Sequence, residues 1–249
     1  MSTTVRAALY YLLSIGLMTF YGGRVCPFID SLPIWTWLSV MVVGYVLAFG
    51  VRTALEPRFV LGAELWSRGR RQFWLEMVTA TLLGIGVTAY DTLVFSFPIA
   101  SGLKALLGIW CFGFFMALDL TLVRERAMAL KARETNVRLD PKLPFHSLTR
   151  KIVVLATIWT AFNTMIIALV VFKDIAYLHD FMQNMLQSEA LSAVKEILFV
   201  GLVLLAFTIR IVVSYARNLR LSFELQAEVL EAVGGGELAR YVPVVSTDE

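Results

Sequence analysis

The 249-residue sequence has few of the side chains that bind metals or form disulfides. It contains two cysteines and two histidines, which lie far apart: Cys26, Cys111, His146 and His179. A disulfide framework, a zinc site or a haem site requires more ligands at closer spacing. We therefore predict that the chain binds no metal and no cofactor.

Motifs of catalysis and of nucleic-acid binding are also missing. The sequence has no His-Glu-x-x-His helix, no Gly-x-Ser-x-Gly turn, no phosphate-binding glycine loop and no basic, aromatic strand face. The 22 lysines and arginines nearly balance the 19 aspartates and glutamates, and a net charge of +3 does not indicate a nucleic-acid partner. We expect no catalytic residue within this chain and no bound nucleic acid.

Charged residues are scarce and apolar residues are abundant. They make up 16% and 58% of the chain, against about 25% and about 45–50% in soluble domains. Six apolar stretches, of which the first is the shortest, have the length of a membrane-spanning helix: residues 7–21, 32–50, 75–97, 102–123, 152–172 and 191–213. No alternating β-barrel pattern occurs. The sequence therefore predicts an all-α polytopic membrane protein, with six transmembrane helices in residues 1–214 and a cytoplasmic helix extending from the sixth.

Basic residues are distributed unevenly between the two sides that six spans would create. Eighteen of the 22 lysines and arginines fall before the first span, at or beyond the end of the last, or in the second and fourth connections. The other side carries only Arg24, Lys104, Lys173 and Lys195. Because basic residues concentrate on the cytoplasmic side, we predict that both termini are cytoplasmic and that the protein lies in the inner (plasma) membrane.

Five polar or ionisable residues inside the predicted spans are candidates for sensing or ligand binding, since such groups are costly in a bilayer. Asp91 and Lys104 reach similar depth across a short hairpin, which predicts an ion pair between them; a structural clamp would use the same pair. Glu76 and Asp119 lie near many arginines, so interfacial ion pairing explains them as well. Asn163 lies in the middle of the fifth span, where an interhelical hydrogen bond is the alternative to a functional role.

An apolar seam follows the last predicted span and indicates self-association. Its residues are spaced 4, 3, 4 and 3 apart, as in the core of a coiled coil, with one polar member: Leu219, Phe223, Gln226, Leu230 and Val233. A seam of this kind predicts a parallel homodimer.

Residues 215–249 resemble the first helix and connector of a HAMP linker, as found in bacterial transmembrane receptors, kinases and cyclases. The matching motifs follow the seam in order: Gly236-Glu237-Leu238, Val242-Pro243-Val244 and Asp248-Glu249. Two features depart from the family, because Ser222 replaces a proline and the sequence stops at the start of the second helix. The resemblance implies that Gly236, Pro243, Asp248 and Glu249 take part in signal transmission, and we expect an output domain to follow.

Together these features predict a membrane-embedded sensory or regulatory input module of a bacterial signalling protein. The HAMP resemblance implies relay to a cytoplasmic output domain, often an adenylyl or guanylyl cyclase and sometimes a kinase or a phosphatase; with a cyclase, the full-length protein would be an enzyme. Expected partners are membrane lipids, a second copy, and an apolar or lipid ligand near the aromatic segment 112–116. The alternatives are a small membrane transporter or lipid-binding protein, and a subunit that only anchors a partner.

Overall fold

The structure, a computed structural model, describes residues 3–135, 153–154, 156–168, 171 and 187–236. All regular secondary structure in these residues is helical, as the sequence predicts. In chain order the helices are α1 (Thr3–Val25), α2 (Pro27–Asp30), α3 (Ile34–Glu56), α4 (Arg68–Val94), α5 (Ile99–Thr135), α6 (Ala156–Ala168) and α7 (Gln187–Gly234). A π-helical turn (Pro57–Leu61) and a 3-10 turn (Leu65–Ser67) connect α3 to α4.

Five of these helices, α1, α3, α4, α5 and α7, are long and apolar enough to cross a membrane. The stretch 152–172, expected to be the fifth of six spans, contains α6 and further helical residues at 153–154 and 171. Residues 152, 155, 169–170 and 172–186 lie outside the described residues. The helical membrane class is therefore confirmed, while the count of six spans and the orientation stay predictions.

Several helices have different ends from the apolar stretches that predict them. α5 continues to Thr135 and α7 to Gly234, well beyond their apolar cores. The expected span 75–97 is three residues too long, because α4 ends at Val94 and residues 95–97 form a turn in which Ser96 has a φ of 55°. Pro98 explains this end, since a residue before proline avoids the helical conformation.

The helix α5 forms the centre of the bundle. In its most apolar segment 78% of the residues are buried, against 17–28% in the other four long helices. It packs antiparallel to α4 at short range, because a Cβ atom at Gly102 would lie only 3.0 Å from the Cα atom of Thr88. Such small residues permit close helix contact inside membranes, and α5 can therefore also contact α1 and α7.

The helix α7 packs along α5 through residues with heptad spacing. The buried positions of this face include Val200, Leu204, Phe207 and Ile211. The ring of Phe207 lies 5.2 Å from that of Phe115, measured between centroids, and 5.7 Å from that of Phe112. Aromatic contacts at this distance add to the energy of buried area, so they hold α7 firmly against the centre.

Candidate functional site

A group of charged side chains ties α3, α4 and α5 together inside the bundle; we call it the Arg52 cluster. The Arg52 guanidinium donates to Oε1 of Glu76 at 2.9 Å and to Oε2 of Glu56 at 2.6 Å. Glu56 also accepts from Arg124 of α5, and Gln72 donates to Glu76 at 2.5 Å. Two arginines balance two glutamates, so the cluster places no net charge in the protein interior, as a buried ion group requires.

Helical spacing explains how these residues meet. Arg52 and Glu56 are four residues apart on α3, as are Gln72 and Glu76 on α4, and such residues lie on one face of a helix. On α4 that face points toward the core and also carries apolar residues such as Leu75 and Leu83. Arg52 and Glu76 are fully buried as a result.

A second group, the Asp119 cluster, connects α1, α5 and α7. Oδ2 of Asp119 on α5 accepts from the Tyr10 hydroxyl at 2.8 Å, from Arg210 at 3.2 Å and from Arg6 at 3.4 Å. Oδ1 of Asp119 has no partner among the described residues. Tyr10 and Arg6 belong to α1 and Arg210 to α7, so one buried carboxylate ties three helices together.

Further along α7 a second contact attaches it to α5. Arg126 of α5 donates to the side-chain oxygen of Asn218 and to the carbonyl of Ser214, both at 2.9 Å. Asn218 in turn donates to the carbonyl of Leu122 at 2.9 Å. Polar pairs of this kind hold helices together where apolar packing alone would let them slide. α7 is thus held at two levels, by Asp119 and by Arg126.

The structure pairs Glu76 and Asp119 with arginines, in agreement with the ion-pairing alternative. It does not support the predicted pair of Asp91 and Lys104. Asp91 is fully buried, and neither of its carboxylate oxygens has a partner among the described residues. The register of the two helices separates the residues, because Gly102 of α5 lies against Thr88 and Leu106 against Gly84, which places Lys104 well below Asp91. Asp91 also lies on the inner face of α4, whereas Lys104 is only partly buried on α5.

Asn163 also differs from expectation. Its amide donates to the carbonyl of Trp159 at 3.0 Å, one turn earlier in α6, in place of the predicted interhelical bond. Within the part of the chain that the structure describes, this side chain bonds to its own helix and forms no polar contact with a neighbouring one. α6 contacts α5 through aromatic rings instead, with Phe162 against Phe114 at 5.4 Å.

The aromatic segment expected to line a ligand pocket is part of the core. Phe112, Phe114, Phe115 and Met116 are all buried, and the three phenylalanines contact rings of neighbouring helices. An open groove lies elsewhere in the described residues, between α3 and α4, and has a volume of about 460 Å³.

The predicted dimer seam lies on an exposed part of α7. Phe223 and Leu230 are 63% and 73% exposed, and Gln226 is exposed as well, whereas Leu225 and Val229 are buried. Leu219 and Val233 complete the seam on the same side, and Gly236 ends the described helix region with a φ of 92°. The other HAMP-like residues, Pro243, Asp248 and Glu249, lie outside the described residues.

Sequence reasoning overlooked the basic and aromatic members of both clusters. Arg52 was assigned to a connection, although its i, i+4 spacing to Glu56 was a signal that α3 continues through both residues. No comparable pattern in the sequence pointed to Tyr10 and Arg210. Contacts between side chains of distant helices depend on how each helix is rotated, and the sequence does not show this. In chemical terms, the described residues hold no group of three potential metal ligands, and the two clusters form electrostatic ties between helices.

These features define the class: a helical membrane domain whose buried charges connect its bundle to one long emerging helix. Residues 10–199 match MASE10, a family of membrane-associated sensory domains. The match covers most of the chain, and the protein belongs to this family. It is the membrane sensory input region of a signalling protein.

A curated relative agrees with this assignment. The chain is 28% identical over 241 residues to a cyclic di-GMP phosphodiesterase of Vibrio cholerae serotype O1 (strain ATCC 39315 / El Tor Inaba N16961). The alignment covers 96% of this chain and 48% of the relative, so the chain spans about half the length of that protein. No solved structure matches the chain.

Proposed function

We propose that the chain senses a stimulus in the membrane and relays it along α7 to a cyclic di-GMP phosphodiesterase domain of the same polypeptide. Similarity to the Vibrio cholerae phosphodiesterase over nearly the whole chain supports this output. It favours a phosphodiesterase over the nucleotide cyclase that the HAMP resemblance implies. The sensory role itself follows from the family.

The observation that carries the relay is the geometry of Asp119. Its Oδ2 atom binds α1 through Tyr10 and α7 through Arg210, so a movement of α1 against α5 changes the contacts that hold α7. Three donors converge on this one oxygen, while Oδ1 has no partner among the described residues. Oδ1 is thus an alternative acceptor for Arg6 or Arg210 when α1 or α7 moves, and a relay requires an alternative arrangement of this kind.

In this proposal residues 1–214 are the membrane domain and residues 215–249 are a HAMP-like linker. The protein works as a parallel homodimer with six spans and both termini in the cytoplasm, at the inner membrane. The exposure of Phe223 and Leu230 supports the dimer, because it leaves the apolar seam of α7 available to a second copy. The uneven distribution of basic residues supports the orientation.

Among the candidate sensing residues, Asp91 has the strongest case. A buried carboxylate without a partner is costly, and its persistence is accounted for if a ligand or a conformational change completes its contacts. Lys104 and Asn163 stay secondary candidates. Glu76 and Asp119 are assigned to transmission, since their contacts lie within the bundle.

A hybrid protein tests the relay. Residues 1–249 replace the matching half of the Vibrio cholerae phosphodiesterase, and membranes containing the hybrid are assayed for hydrolysis of cyclic di-GMP. We expect activity in the hybrid and a change of at least about fivefold in Asp119→Leu, the low end of coupling energies between sites. Arg220→Gln is the control, because Arg220 forms an exposed pair with Glu224 on the same helix.

Three results would count against the proposal. Equal hydrolysis by the hybrid, by Asp119→Leu and by Arg220→Gln would show that the Asp119 cluster does not transmit. Formation of a cyclic nucleotide from ATP or GTP by the full-length gene product would favour the nucleotide cyclase that the HAMP resemblance implies. Uptake of a solute by liposomes that contain the purified chain would favour the transporter alternative.

A further inference from the structure

The groove between α3 and α4 lies on the outer surface of the bundle, within two helices that have the length and composition of membrane spans. Its floor is formed by buried residues such as Ala48 and Leu83, and its rims by exposed ones such as Leu47 and Leu82. The side chains around it are almost all apolar. The groove is therefore suited to a hydrocarbon chain.

One helix face leads from the groove to a basic segment. On α4 the exposed residues Leu82, Val78, Trp74 and Arg71 follow one another at intervals of three or four, so they form a continuous stripe. Leu82 lines the groove, and Arg71 lies about 16 Å further along the helix at 1.5 Å per residue. On α3 a second stripe of exposed residues continues from Leu47 through residues 51 and 55, and the exposed Arg58 follows in the π-helical turn.

The two stripes converge at their basic ends. Arg71 donates to the carbonyl of Phe59 at 3.3 Å, and its guanidinium lies 5.6 Å from the centroid of the Phe59 ring. This contact joins the start of α4 to the turn after α3. Arg58 precedes Phe59 in the chain and therefore belongs to the same turn that Arg71 contacts.

The positive charge at the basic ends of the two stripes favours binding of an anion. Residues 57–71 contain four arginines and one acid, Glu64, which is a net charge of +3. Arg58 and Arg71 are exposed, and no described carboxylate forms an ion pair with either. Trp74 and Phe59, both partly exposed, are residues typical of the membrane–water interface. An arginine pair at that depth is suited to a phosphate group.

We infer that this surface binds one anionic phospholipid, with its phosphate at Arg58 and Arg71 and an acyl chain in the inner half of the groove. The dimensions agree, since one leaflet provides about 15 Å of hydrocarbon and the path from Arg71 to Leu82 measures about 16 Å. The inference concerns lipid binding alone and holds whatever output the protein controls.

The site adjoins the Arg52 cluster. Thr79 and Ala48, on the floor of the groove, are one turn from Glu76 and Arg52, the residues that tie α4 to α3. A bound chain therefore lies directly beside the ion pair that sets the separation of these helices.

Native mass spectrometry of the purified full chain tests the inference. The protein is equilibrated with equal amounts of phosphatidylglycerol and phosphatidylcholine, and the retained lipids are counted. We expect preferential retention of one phosphatidylglycerol per chain. Arg58→Gln and Arg71→Gln should each weaken that retention about fivefold, the effect of one basic residue at an anionic surface, while Arg217→Gln on the exposed side of α7 should leave it unchanged.

A matched pair of α3 variants tests the groove itself. Val51 lines the groove and Val46 does not, yet both valines are exposed, at 48% and 59%. Val51→Trp should fill the groove and weaken retention, and Val46→Trp should have no effect. Arg58→Gln leaves the Arg71–Phe59 contact intact, so its result stands even if Arg71→Gln disturbs the fold.

The inference is overturned if both lipids are retained equally, or if the two arginine variants bind phosphatidylglycerol as well as the unaltered chain does. Equal loss in Val46→Trp and Val51→Trp would also overturn it, since the groove would then not be the site. So would a cysteine at position 51 that forms a disulfide between two copies, because a second copy would then cover the surface. Displacement of the bound lipid by an equal amount of oleate would also overturn it, because the preferred ligand would then be a fatty acid.

Discussion

Tyr10 and Tyr11 are neighbours on α1, yet their hydroxyls donate to carboxylates on two different helices. Tyr10 binds Asp119 of α5 at 2.8 Å, and Tyr11 binds Glu76 of α4 at 3.4 Å. Consecutive residues of a helix point about 100° apart, so α1 reaches both charged clusters from one position. A rotation of α1 would alter both clusters at once.

The two tyrosines give a matched first prediction. Tyr10→Phe should lower the free energy of unfolding by about 1.5 kcal/mol or more, because a hydrogen bond to a charged group is worth about 1.5–3 kcal/mol. Tyr11→Phe should cost less, since its bond is longer and Glu76 keeps Arg52 and Gln72 as partners. Thermal unfolding of the purified variants in one detergent measures the difference. A larger loss for Tyr11→Phe would contradict the assigned geometry.

The second prediction concerns the ion pair of Arg52 and Glu76. Arg52→Met should destabilise the protein by about 3–5 kcal/mol, because it leaves buried carboxylates without their cation. Adding Glu76→Gln should recover part of that loss, as expected for two residues in direct contact. Arg220→Gln, which breaks an exposed pair, should cost less than about 1 kcal/mol. Simple additivity of the two cluster substitutions would show that the pair does not form.

Asp91 and Asp119 allow a third comparison, since both aspartates are fully buried and, among the described residues, Asp119 has side-chain partners and Asp91 has none. Asp91→Asn should leave the unfolding temperature unchanged or raise it, because it removes an uncompensated charge. Asp119→Asn should lower it, because Arg6 and Arg210 lose their counter-ion. If Asp91→Asn is stable but changes hydrolysis of cyclic di-GMP by the hybrid protein, Asp91 is a sensing residue; marked destabilisation would mean that its carboxylate has an essential structural partner.

The fourth prediction concerns the parallel dimer. Cysteines placed at Phe223 or Leu230 should form disulfides between two copies in oxidised membranes, because both positions are exposed on the seam. Cysteines at Leu225 or Val229, which are buried within one copy, should not. The native Cys26 and Cys111 are buried as well, so the unaltered chain provides the background. Cross-linking without this periodicity would exclude the seam.

The elements that could be predicted from the sequence are those that depend on local composition. Apolar runs identified the helices, because a long apolar segment has few stable alternatives in a bilayer. Hydropathy located the ends of the helices less well: α5 continues through residues 124–135, which contain charged residues but no proline or glycine. A helix ends where proline, glycine or a capping residue interrupts it, and a change from apolar to polar residues does not by itself end it.

The polar contacts were harder to predict, since they depend on how each helix is rotated. Asp91 and Lys104 were matched by depth, and depth alone does not tell which face a side chain occupies. Asp119 was expected near arginines, but its partners Arg6 and Arg210 are 113 and 91 residues away in the sequence. No local pattern in the sequence connects such distant residues.

The length of α7 determines how far a small movement is carried. Its 48 residues extend about 72 Å, more than twice the roughly 30 Å of a hydrocarbon core. The part of α7 between Arg210, at the level of Asp119, and Gly234 measures about 36 Å, so a tilt of about 5° at Arg210 moves Gly234 by about 3 Å. A slight rearrangement at Asp119 is therefore enough to move the end of α7 by a distance comparable to that between two contacting side chains.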